Sequence, residues 1–114
     1  MAPSNFHDLR VYQLAVGLAD DVHSRVGRWP LLDRDSFGAQ LVRAADSVGA
    51  NIAEAMGRGT TADRRRLLYV ARGSLYETEH WIDRAERRGL LELGTSARTE
   101  EIARLLNGLI KRPG

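Results

Sequence analysis

From Leu67 to Ala85 the residues Leu67, Leu68, Ala71, Leu75, Thr78, Ile82 and Ala85 recur at steps of three and four. At roughly 100° per residue, only an α-helix gathers that spacing onto one face, and a helix with one apolar face must bury it against other elements. The chain is therefore constrained to build a core from packed helices. Thr60, followed three residues later by Asp63, resembles a capping box at the start of this helix, and Gly89 is a natural stop for it.

Similar punctuation divides the rest of the chain. Ser4 or Asn5 can cap a first helix with Leu9, Tyr12, Val16, Ala19, Val22 and Val26 on its inner face, and Trp29-Pro30 should stop it. A second helix is expected to begin near Asp35 or Ser36 and to end at Gly57-Arg58-Gly59. After a turn through Gly94-Thr95-Ser96, a last helix presents Ile102, Leu105, Leu106 and Leu109, and Pro113-Gly114 closes the chain. Nothing reads as a strand, and loops this short imply antiparallel neighbours. The expected architecture is a single all-α domain over residues 1–114, an antiparallel up-down four-helix bundle.

The second helix carries a polar stripe of Gln40, Arg43, Ser47, Asn51, Glu54 and Arg58. Phe37, Leu41, Ala44, Val48, Ile52 and Ala55 flank it on one side, and the small residues Ala39, Ala50, Ala53 and Gly57 on the other. A polar row walled in on both sides is expected to be partly buried against another helix or another subunit. Buried polar groups are costly unless hydrogen-bonded, so the row should specify a particular assembly, a homo-oligomer. Glu77, at the edge of the third helix beside Val70 and Trp81, is the expected partner of Arg43. Three roles are open for these residues: a structural network, an anion or ligand site lined by Arg43, Asn51 and Arg58, and acid-base chemistry at Glu54 or Glu77. The last lacks a nucleophile, a histidine partner and a phosphate loop, so the expectation is not an enzyme.

Seventeen residues are basic, and all but Lys111 are arginine; the net charge is only +2. Arginine forks onto carboxylates and phosphates, which permits anionic partners without demanding them. Arg58, Arg64, Arg65, Arg66 and Arg72 cluster where the third helix begins, and Arg84, Arg87 and Arg88 crowd its other end. Such a run can be a solvated face or a nucleic-acid contact. Asp63, Glu77, Glu79, Asp83 and Glu86 dilute the field, and only Tyr69 and Tyr76 could stack on bases. Any binding of RNA or DNA should then be electrostatic and indifferent to sequence.

Other chemistries find little footing. There is no cysteine, so disulfides and thiolate metal sites are excluded. His7, His23 and His80 are not spaced to share a helical turn, and His23 is expected on the first helix's inner face as a hydrogen-bonded group and not a metal ligand. Gly57-Arg58-Gly59-Thr60-Thr61 lacks the strand and lysine of a phosphate loop and reads as a helix-to-helix turn. Trp29 and Trp81 read as core or groove packing, with interface anchors as the alternative. No cofactor is expected. Met1 to Arg10 lack a basic-then-apolar signal and no apolar run reaches the roughly 20 residues of a membrane span, so a cytoplasmic protein without a membrane partner is the expectation.

Several motifs carry a family resemblance: Phe6-His7-Asp8-Leu9 with Tyr12-Gln13-Leu14-Ala15, Gln40 through Val48, Asn51-Ile52-Ala53-Glu54-Ala55-Met56-Gly57-Arg58, and Ala71-Arg72-Gly73-Ser74-Leu75-Tyr76-Glu77. Over about Phe6 to Ile110 the chain resembles the four-helix-bundle proteins encoded within intervening sequences of bacterial 23S ribosomal RNA genes. The resemblance implies an up-down bundle assembled as a ring-like homopentamer. A related branch, the accessory variability determinants of diversity-generating retroelements, is basic and associates with nucleic acid and reverse transcriptase. The chain departs from the pattern at Ala55, where glycine is usual. A nucleic-acid- or nucleoprotein-binding adaptor is the function this resemblance implies, and a structural or protein-binding ring without nucleic-acid affinity is the alternative.

Overall fold

The computed structural model describes residues 5–113, and every regular element in it is helical. Four helices carry the fold: α1 (Arg10–Val26), α2 (Ala39–Met56), α3 (Thr61–Arg87) and α4 (Ala97–Lys111). Helix α2 packs on both α1 and α3, α3 packs on α4, and α4 returns to α1, which closes a bundle of 45 × 22 × 20 Å. At about 1.5 Å per residue α3 alone runs roughly 40 Å, nearly the full length.

Helix α3 forms as its pattern dictates: Leu67, Leu68, Ala71, Leu75, Thr78, Ile82 and Ala85 are its buried residues. Thr60 caps it, its hydroxyl oxygen accepting from the Asp63 amide at 3.1 Å. Gly89 and Gly94, at φ +72 and +95, are where the chain turns between α3 and α4, a conformation that only glycine adopts without strain. Thr78 is satisfied by the Ser74 carbonyl at 2.7 Å, and the Thr99 hydroxyl lies 2.6 Å from the Ser96 carbonyl and 2.9 Å from Glu79 Oε2. With their hydroxyls bonded, two buried threonines fit a core made of aliphatic side chains together with Trp29 and Phe37. Ile52, Leu68, Ile82 and Leu106 are fully enclosed in it, each contributing on the order of 1.5–3 kcal/mol. Ala55 is also fully buried, and α2 continues through it to Met56.

Three sequence expectations shift. Ser4 lies outside the described residues, and Asn5 caps a 3-10 turn, Phe6–Asp8, while α1 itself starts at Arg10. The buried face of α1 is Val11, Ala15, Leu18, Ala19, Val22 and Val26, with Leu9, Tyr12 and Val16 only half-buried. The rotation follows from α1 meeting α2 on one side and α4 on the other. Tyr12 and Val16 cover the α2 side over Gly49, where an added Cβ would fall 2.9 Å from Val16 Cγ1.

The second helix also starts earlier than Asp35. Pro30 sets up a helical turn at Leu31–Asp33, which passes through a π-helical stretch, Arg34–Gly38, into α2. Helix α1 has already ended at Val26 with Gly27 as its cap, and Pro30, compatible with a helix start, opens the next segment. Gly38 is required in this stretch because a Cβ there would lie 2.9 Å from the Asp33 carbonyl and 2.9 Å from Val26 Cγ1. Trp29 is buried beside Phe37, with ring centroids 5.2 Å apart, and Phe37 reaches the half-buried Trp81 at 5.9 Å. Both tryptophans thus pack within the chain.

Candidate nucleic-acid interface

The arginines at the start of α3 fall on two structural tasks and one open face. Arg58 pairs with Glu54 Oε1 at 2.5 Å and Asp63 Oδ2 at 3.6 Å, and Arg66 forks onto Asp63 Oδ1 at 3.0 and 3.1 Å. Arg64 Nε donates to the Arg58 carbonyl at 2.8 Å, holding the α2–α3 turn. Arg65 Nε donates to the Ile110 carbonyl at 3.0 Å, which satisfies one of the unpaired carbonyls at the end of α4. These four arginines therefore build the corner of the bundle. The ion pairs of Arg58 and Arg66 are partly exposed and contribute about 0–1 kcal/mol each, so an outside anion could compete for these two guanidiniums at small cost.

Arg72 differs from the rest. Its NH1 donates to Asn107 Oδ1 at 3.0 Å, and its guanidinium sits 4.7 Å from the Tyr69 ring centroid and 5.9 Å from that of Tyr76. Tyr69 and Tyr76 are about half exposed, at 47% and 51%, and Val70 beside them is 45% exposed. A guanidinium fixed by one hydrogen bond against two open aromatic rings is a cationic stacking surface. At the far end of α3, Arg88 covers the Phe37 ring at 4.6 Å and Arg87 reaches Asp83 at 3.9 Å.

The polar row of α2 is not enclosed by the chain itself. Gln40, Arg43 and Glu54 are exposed, whereas Ser47, Asn51 and Arg58 are half-buried. Three hydrogen bonds run within the row: Ser47 Oγ to the Arg43 carbonyl at 2.9 Å, Asn51 Nδ2 to the Ser47 carbonyl at 2.8 Å, and the Arg58–Glu54 pair; Arg58 also reaches beyond it, to Asp63 and Arg64. The expected Arg43–Glu77 pair does not form within the chain. Arg43 turns to the α1 side, where it lines a shallow hollow with His23, Val26, Gly27, Arg34 and Val42, and Glu77 Oε2 instead accepts from Trp81 Nε1 at 3.3 Å. His23 is exposed at that hollow and not on the inner face of α1. On the small flank Ala50 and Gly57 are exposed, while Ala39 and Ala53 are half-buried.

Some features carried no sequence signal. Asn107 is 35 positions from Arg72 and Ile110 is 45 from Arg65, so neither partner could be read from spacing along one helix. Among the described residues no group of three or more His, Cys, Asp or Glu could hold a metal ion, and no helix is long and apolar enough to cross a membrane.

Fold and surface together define a small all-helical bundle with an arginine-built corner and a face where half-buried Arg72 lies against exposed Tyr69 and Tyr76. Residues 7–111 match the family described as 23S rRNA-intervening sequence protein, and the chain belongs to that family. A solved structure from Bacteroides thetaiotaomicron, a protein of unknown function from the S23 ribosomal protein family, is similar in fold. Its TM-score is 0.74 at 23% identity, covering 89% of this chain and 98% of that one. No curated protein matches.

Proposed function

We propose that this protein is a non-enzymatic adaptor whose single domain assembles with copies of itself and binds RNA, DNA or a nucleoprotein through the arginine-rich face of α3. The observation that carries the reading is the placement of half-buried Arg72 against the exposed rings of Tyr69 and Tyr76. Arg58, Arg64, Arg65, Arg66 and Arg72 bring five guanidiniums into that region of the bundle against the carboxylates of Glu54 and Asp63. Copies arranged in a ring, a pentamer by family resemblance, would multiply this modest charge into a multivalent phosphate contact. An antiparallel bundle is supported by the order of contacts between α3 and α4: Arg65 with Ile110, Arg72 with Asn107, Glu79 with Thr99. Assembly is supported by the uncovered α2 flank of Ala50 and Gly57 beside half-buried Ser47 and Asn51.

The second reading, a structural or protein-binding ring without nucleic-acid affinity, is favoured by the carboxylates already seated on Arg58 and Arg66. Fluorescence anisotropy with labelled single-stranded RNA and DNA, at low and at physiological salt, separates the two. The adaptor reading expects binding of both polymers that weakens steeply as salt rises. Absence of binding at low salt overturns it.

A further inference from the structure

A cleft of about 540 Å³ opens between the C-terminal half of α1 and the loop joining α3 to α4, away from the Arg72 face and from the polar row. Its volume falls in the roughly 300–1,000 Å³ range of small-molecule sites. Leu18, Val22 and Leu91, all buried, give it an apolar floor. Arg25, Arg28 and Arg98 stand around it.

Two of these guanidiniums are held in place by carboxylates. Arg25 NH2 lies 2.5 Å from Glu92 Oε1, and Arg98 NH1 lies 2.7 Å from Asp21 Oδ2. Each of these bonds links α1 to the α3–α4 loop or to α4, so the cationic rim is fixed by tertiary structure. Each uses one donor of a group that carries five, leaving others for an anion. Arg28 donates to Ser24 Oγ at 3.3 Å and faces no carboxylate among the described residues. Three cations against two carboxylates leave one positive charge in surplus beside an apolar floor.

We propose that this cleft binds a small amphipathic monoanion, with its acidic head among Arg25, Arg28 and Arg98 and its apolar body on Leu18, Val22 and Leu91. The inference is independent of nucleic-acid binding, which lies on another face. A medium-chain carboxylate is the simplest molecule with this chemistry, and octanoate is the probe.

Isothermal titration of the full-length protein with octanoate, octylammonium and acetate tests the assignment. Octanoate should bind, while octylammonium, with the same tail and opposite charge, and acetate, with the head alone, should bind at least tenfold more weakly. Arg28→Ala, an exposed position outside the ion pairs, should weaken octanoate at least fivefold, and Ser24→Trp should fill the cleft and abolish binding, both with an unchanged circular dichroism spectrum. The proposal is overturned by no heat from octanoate, by equal binding of octylammonium, or by wild-type affinity in both variants.

Discussion

Trp29 Nε1 donates to the Leu90 carbonyl oxygen at 3.1 Å, joining residues 61 apart in sequence. The bond ties the connection after α1 to the residue that follows Gly89, and the indole is buried as it does so. Trp29→Phe keeps most of the ring volume and removes the donor. It should lower stability by about 1–2 kcal/mol, measured as a shift of the urea midpoint at constant slope; an unchanged midpoint would show the bond to be dispensable.

Gly38 and Gly73 should respond to alanine in opposite directions. At Gly38 the new Cβ would meet a backbone carbonyl at 2.9 Å, whereas nothing lies within 4 Å of one at Gly73. Gly38→Ala should destabilise by about 1–3 kcal/mol, and Gly73→Ala should stabilise α3 by about 0.5–1 kcal/mol. Thermal melts of the two variants give the signs directly.

Removing the Thr60 cap leaves the Asp63 amide without its hydroxyl partner. Thr60→Ala should cost about 1 kcal/mol, and Thr60→Asn should recover most of it because asparagine caps equally well. If both variants melt together below the wild type, the hydroxyl is not acting as a cap.

Arg72 and Arg66 should differ as nucleic-acid contacts. Arg72→Lys keeps the charge but loses the planar stack on Tyr69 and Tyr76, so RNA affinity should fall about tenfold, while Arg66→Lys should change it by less than about twofold. Equal effects in anisotropy titrations would reduce both residues to point charges.

Ala50 is exposed on the small flank of α2 and is not one of the core residues. Ala50→Arg should leave the circular dichroism spectrum intact and lower the mass measured by light scattering, if copies meet along this flank. A wild-type mass in the variant would move the subunit contact elsewhere.

The helices themselves were written into the sequence. The buried set of α3 matches its three-and-four spacing residue for residue, Thr60 caps it, and Gly89 turns the chain after it. Each is a property of a few consecutive residues: periodicity, a side-chain acceptor, a permitted φ. The start of the second helix was less legible, since Pro30 opens a helical turn instead of only following the end of α1, and the π-helical stretch after that turn depends on Gly38 fitting under Val26 and Trp29.

What only tertiary structure decided is which flank of each helix is covered and which charges meet. Arg43 faces α1 and not Glu77, Arg65 finds the end of α4, and Arg25, Arg28 and Arg98 converge on one cleft from separate elements. Spacing along a helix fixes the angle of a side chain about its own axis. It does not fix the crossing and rotation of that axis against its neighbours, and those set every contact between residues far apart in the chain.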